Sequence, residues 1–253
     1  MLDPWVMVPL LFASGVFAGF VNTVAGGGSF VSFPLLILLG MPAHVANGTI
    51  RVTIVLQNLV AVPTYARGGY FYPRHVAVLA AATIPFAILG STIAVRLDPD
   101  PFRKVCAVLL LIVVATLFVS PNSWRRAKAV PAIRWPLALV GMAAVGLYGG
   151  FFQLGAGIPF LAVAVLLGGW DVVTANSLKV GVILIYTVVA LAIFATSGHV
   201  DWRAGVSLGL GNMLGAWLGA RTAVRQGSGW IRWVMVAMGL LAVWKLLEPS
   251  AAA

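Results

Sequence analysis

Long apolar runs, broken by short polar turns, fill almost the whole chain. The first extends from Trp5 to Val24 and breaks at Ala25-Gly26-Gly27-Gly28-Ser29; a shorter run follows from Phe30 to Gly40. His44–Ala66, His75–Val95 and Val105–Val119 come next. A basic connector, Ser120–Arg134, carries Arg125, Arg126, Lys128 and Arg134. The plan then recurs: Trp135–Phe152, a break at Gly155-Ala156-Gly157, a short Ile158–Gly168, then Ala175–Thr196, Trp202–Ala220 and Trp230–Leu247. A helix needs ~20 apolar residues to cross hydrocarbon. The runs are continuous rather than alternating, which selects helices over barrel strands. The pattern predicts an all-α integral membrane protein, a polytopic helical bundle with Gly-broken or re-entrant segments.

The recurrence has a fixed offset of 129 residues, which pairs Asn47 with Asn176, Gly26 with Gly155 and Gly28 with Gly157. It also pairs Gly40 with Gly169, Gly69 with Gly198, Arg74 with Arg203 and Arg103 with Arg232. Apolar coincidences are cheap in this composition; Arg, Asn and loop Gly at one offset are not. The expectation is one membrane domain of two homologous repeats, 1–124 and 125–253. The repeats are parallel if each broken segment is one crossing, and inverted if the short run turns back. Lys and Arg in loops and termini split 9 to 5 in the inverted case and 8 to 6 in the parallel one. The positive-inside rule therefore favours inversion, with both termini outside.

Composition agrees with the pattern. Hydrophobic residues make up 61% and charged residues 9%, against about 25% charged in a soluble domain. A net charge of +10 would suggest nucleic acid in a soluble protein. Here the basic residues sit mostly between apolar runs, where they set orientation and meet anionic headgroups, so no nucleic-acid partner is expected. Met1-Leu2-Asp3-Pro4 lacks the basic region of a cleaved leader, so the first run is expected to stay as a helix.

All six acidic residues (Asp3, Asp98, Asp100, Asp171, Asp201 and Glu248) lie at segment ends or termini. Membrane carboxylates mark proton relays and cation sites, and the pattern offers none. Two cations do lie inside apolar runs, Arg51 and Lys179, each shortly after a repeated Ala-Asn. A diffusible anion would balance them; snorkelling to the interface is the bland alternative. The glycine breaks let the backbone leave the helix and approach a ligand. They also aim the N-terminus of each following short helix at the break, a favourable place for an anion. His44, His75 and His199 stand at segment edges without metal-ligand spacing, and no metal, cofactor or catalytic set is implied. Gly15 with Gly19, and Gly211 with Gly215 and Gly219, read as helix-packing faces.

Gly19-Phe20-Val21-Asn22-Thr23-Val24-Ala25-Gly26-Gly27-Gly28-Ser29-Phe30, with Pro34 and Ala46-Asn47-Gly48-Thr49, resembles the first-half motif of the sulfite exporter TauE/SafE family. Gly146-Leu147-Tyr148-Gly149-Gly150-Phe151-Phe152, Gly155-Ala156-Gly157 and Ala175-Asn176-Ser177-Leu178-Lys179 resemble its second-half motif. The resemblance implies a multi-pass permease of the plasma or inner membrane for sulfite, organosulfonates or other small sulfur-containing anions, often exporting them. The expected mechanism is alternating access at a central site between the repeats. The candidate substrate-binding residues are Asn22, Gly26, Gly27, Gly28, Ser29, Asn47, Thr49, Arg51, Gln153, Gly155, Gly157, Asn176, Ser177 and Lys179. An anion channel, or a non-transporting membrane subunit of a larger complex, is the alternative. The expected partners are the small anion and the lipid bilayer, and a homo-oligomer is compatible with both.

Overall fold

The computed structural model of the chain describes residues 4–25, 28–116, 133–222 and 229–248. Its helices are α1 (Pro4–Ala25), α2 (Ser29–Leu38), α3 (Ala43–Arg67), α4 (Pro73–Arg96), α5 (Pro99–Thr116) and α6 (Trp135–Phe151). Then follow α7 (Gly157–Ala162, continued by a π-helical turn over Val163–Gly168), α8 (Val172–Thr196), α9 (Trp202–Thr222) and α10 (Gly229–Leu247). No strand occurs among the described residues. Three helices, α3, α4 and α8, are long and apolar enough to cross a membrane by length and composition. Val108, Ile112 and Val140 are more than half exposed on the outer surface, as lipid solvation allows. The connector with Arg125, Arg126 and Lys128, and the expected border at 124/125, lie outside the described residues.

Two helices begin three or more residues before their apolar runs. The Asp171 side chain accepts hydrogen bonds from Val173 N and Thr174 N, both at 3.0 Å, so α8 starts at Val172 rather than Ala175. Pro99 and Asp100 open α5 six residues before Val105; Pro suits a first turn, whose N–H groups lack helical partners, and Asp suits its partial positive charge.

The elements recur at the 129 offset. It carries both ends of α3 onto both ends of α8, and the start of α4 onto that of α9. Gly69 (φ 75°) and Gly198 (φ 74°) end α3 and α8 in the left-handed conformation. In both, the next amide reaches back, Tyr70 N to Tyr65 O at 3.1 Å and His199 N to Phe194 O at 2.9 Å, closing the same C-terminal motif.

Contacts between elements give the topology. Gly28 lies against Ala18 and Asn22, so α2 turns back along α1 and the two form a hairpin. Arg134 N donates to Gly168 O at 3.2 Å, so α6 and α7 with its π-turn form a second hairpin. α1 runs parallel to α9, with Gly15 and Gly19 against the Leu208 and Asn212 backbone and Gly211 and Gly215 against Phe12 and Val16. α6 runs parallel to α4, with Gly146 and Gly150 against Thr83 and Ala87. The expected packing faces are therefore real, although the side-chain surroundings of Gly219 lie outside the described residues. α3 and α8 run antiparallel, because Gly48 near the start of α3 meets Phe194 near the end of α8. The α1–α2 hairpin consequently enters from the end where α9 starts, and the α6–α7 hairpin from the opposite end, where α4 starts. In lipid, helices associate by close van der Waals fit, which explains glycine along both seams.

Candidate functional site

The two hairpin tips meet inside the bundle. Gly155 N, in the second break, donates to Ser29 Oγ, at the first break, at 3.0 Å. Gly155 has φ 71°, a conformation that favours glycine, and a Cβ there would press on the Phe30 ring and Val113. Asn22 Oδ1 accepts from Gly28 N at 3.1 Å and closes the first tip. Gly26 and Gly27, named as site residues from sequence, lie outside the described residues. Gly157 opens α7, just past Gly155.

Asn47 and Arg51 project from α3 onto the second tip. Asn47 Nδ2 donates to Phe151 O at 2.8 Å, and its Oδ1 accepts from Gln153 N at 3.1 Å. The amide thus spans the point where α6 stops. Arg51 is 0% exposed. Its Nη1 donates to Gly149 O and Gln153 Oε1, each at 3.0 Å, and its Nη2 donates to Gly150 O at 2.6 Å. The Gly149 and Gly150 carbonyls belong to the last turn of α6, where a cation meets the negative end of the helix dipole. The guanidinium carbon lies 4.5 Å from the Phe194 ring centroid, a cation–π contact. No carboxylate pairs with Arg51 among the described residues, and its buried Nε has no hydrogen-bond partner. Of the five guanidinium N–H groups, some therefore remain free for another acceptor.

Gln153 carries the network onward: its Nε2 donates to Tyr186 Oη at 3.4 Å. Tyr186 is 0% exposed and lies against Gly149. Sequence reasoning missed both Tyr186 and Phe194. Tyr186 did leave a signal, because a tyrosine in mid-run departs from the usual preference for the interface. Phe194 left none, since one phenylalanine in an apolar helix looks like any other.

The remaining candidates lie elsewhere. Thr49 Oγ1 accepts from Asp201 N at 2.9 Å and secures the entry to α9. Asn176 Nδ2 donates to Val172 O at 3.0 Å, and Lys179 Nζ donates to Asn176 Oδ1 at 2.8 Å. The Ser177 hydroxyl is buried without a partner. This group sits near the start of α8, whereas Arg51 stacks on Phe194 near its end. Lys179 and Phe194 are fifteen residues apart, about 22 Å of helix at 1.5 Å per residue. The antiparallel course of α3 and α8 sends equivalent positions towards opposite ends. One cluster therefore gathers Asn22, Gly28, Ser29, Asn47, Arg51, Gln153 and Gly155, and a separate pair joins Asn176 to Lys179, with Ser177 in the same turn of α8 but bonded to neither.

A buried, carboxylate-free cluster of guanidinium, amide and hydroxyl groups at broken helices inside an apolar bundle is the architecture of a membrane transporter. Relatives agree. The chain is 27% identical to a probable membrane transporter protein (ORF9) of Sinorhizobium sp, covering 96% of this chain and 94% of that one. It is 25% identical to the probable membrane transporter protein YfcA of Escherichia coli K12, covering 99% and 93%. A Haemophilus influenzae probable membrane transporter protein is 24% identical over 95% and 94%. The family model described as sulfite exporter TauE/SafE matches residues 11–246, so the chain belongs to that family, one of membrane transporters rather than enzymes. No solved structure matches the chain at a significant level.

Proposed function

We propose that the protein carries small anions, foremost sulfite and organosulfonates, outward across the cell membrane by alternating access where the two hairpin tips meet. The observation that carries this reading is Arg51, a fully buried cation with no carboxylate partner among the described residues. Carbonyl dipoles solvate it only in part, and a charge at membrane depth is costly without a counter-charge. An anion on the free N–H groups supplies one. Gln153, Tyr186 and Ser29 add hydrogen-bonding groups around it, and the start of α2 adds a partial positive charge.

In this reading residues 1–124 and 125–253 are inverted repeats, each a hairpin followed by three crossings, and they rock about the paired tips. The glycine turns matched at offset 129 and the opposite entry of the hairpins support it. Arg67, Arg74 and Arg134 stand with Asp171 at the end that takes the larger share of the 9-to-5 split of loop and terminal Lys and Arg, while Arg96, Arg103, Lys104, Arg203 and Lys245 stand at the other with Asp98, Asp100, Asp201 and Glu248. By the positive-inside rule the first end faces the cytoplasm. Lys179, Asn176 and Ser177 lie towards that end and would receive the anion before Arg51.

The test is flux in proteoliposomes loaded with sulfite, methanesulfonate or thiosulfate. The expected result is saturable anion efflux with counterflow, and no flux of choline or potassium. Flux that never saturates would replace the carrier with a channel. No anion flux above that of empty vesicles would remove the proposal.

A further inference from the structure

A second polar feature lies away from the hairpin tips, at the end of the bundle where α4 and α6 both begin. Arg74, His75, Val78 and Trp135 line a cavity of 360 Å³ there, within the ~300–1,000 Å³ usual for ligand pockets. Two of its four lining residues carry rings, His75 and Trp135, and Tyr72 and Trp170 pack behind them. The His75 ring stacks on Tyr72 (centroids 5.6 Å) and meets Trp135 edge-on at 5.2 Å, and Trp135 meets Trp170 edge-on at 5.6 Å.

The electrostatics of this place are unanswered. His75 Nδ1 and Trp170 Nε1 are buried without hydrogen-bond partners, and Trp170 is only 5% exposed. Tyr72 precedes α4 without a side-chain cap, and Pro73 opens the helix. The equivalent start of α9 is capped by Asp201, whose Oδ1 accepts from Ala204 N at 2.9 Å. Arg74 is exposed and has no ion pair among the described residues. Asp171, next to Trp170 in the chain, already holds the start of α8.

We infer that this cavity holds the phosphate of an anionic membrane lipid. Arg74 and the open start of α4 face the phosphate, and Trp135 and Tyr72 sit at headgroup depth as aromatic anchors do. Below the cavity the surface becomes apolar: Val78 and Phe86 on α4 and Val140 on α6 are all exposed. That lane suits an acyl chain, which a free phosphate lacks. The site is distinct from the Arg51 cluster.

Native mass spectrometry of the purified protein with added phosphatidylglycerol or phosphatidylcholine tests the inference. Phosphatidylglycerol should be retained in preference, and Arg74→Gln should lower its retention about fivefold, the share of one basic residue at an anionic surface. Arg74 is exposed, so this variant should keep the wild-type melting temperature. Arg67→Gln, at the same end but outside the cavity, should retain the lipid as wild type does. Equal loss in both variants would reduce the effect to general surface charge and overturn the site. Inorganic phosphate that displaces the lipid adduct at millimolar concentration, and binds alone, would overturn the lipid assignment.

Discussion

Arg51→Gln removes the guanidinium and its charge but keeps a side chain able to donate to one carbonyl of α6. Two consequences separate. The wild-type guanidinium makes three hydrogen bonds, to Gly149 O, Gly150 O and Gln153 Oε1. Bonds to a charged group contribute about 1.5–3 kcal/mol each, but removing a buried cation also removes its desolvation cost. The melting temperature should therefore fall only modestly. Substrate has no such offset: losing one charge-assisted bond to an anion, about 1.5–3 kcal/mol, weakens binding by roughly 10- to 150-fold. Sulfite counterflow in proteoliposomes should show the apparent KM rising by that factor. Arg51→Lys should rise less, since it keeps the charge but loses the planar fork. If the Gln variant kept KM and Vmax within about twofold of wild type while its melting temperature fell, Arg51 would be only a brace for the end of α6. The anion-site reasoning would then be wrong.

Further outcomes follow from the same geometry. A Cβ at Gly150 would overlap the Ala87 backbone, whereas one at Gly40 meets nothing within 4 Å. Gly40→Ala should then cost only the ~1–2 kcal/mol of a left-handed backbone, and Gly150→Ala clearly more; equal thermal shifts would contradict the tight α4–α6 seam. In a Cys106→Ser background, Arg67→Cys and Arg203→Cys should react with an impermeant maleimide from opposite faces of the membrane; labelling from one face would refute the inverted topology. Partial burial of Asp171 works against its ionisation, but hydrogen bonds from Thr174 and Val173 outweigh it and hold the carboxyl below its ordinary value. A lowered pKa means a contribution present above the unfolded value and lost as pH falls through the folded one. Asp171→Ala should therefore lower stability by about 1 kcal/mol at neutral pH. The gap to wild type should close in acid below the ordinary aspartate range, and a gap unchanged there would show that the charge plays no part.

The sequence by itself determined the solvent, the helices and the recurrence. Continuous apolar runs and 9% charged residues leave a lipid-facing helical bundle as the only way to satisfy the backbone, and the offset of 129 was visible because turn glycines and basic residues are expensive to match by chance. It also named Asn47, Arg51 and the glycine breaks, since polar and flexible residues stand out against an apolar background. Only the tertiary structure decided which of them meet. Arg51 turns out to hold the end of α6 and to stack on Phe194, contacts 98 to 143 residues away in sequence that no local pattern encodes. Ser29 and Gly155 join the two breaks across 126 residues, while Lys179, aligned beside Arg51 by the repeat, lies some 22 Å of helix away from its stacking partner. A period along the chain says which residues are equivalent. The direction in which two helices pack decides whether equivalent residues come together or are sent to opposite ends.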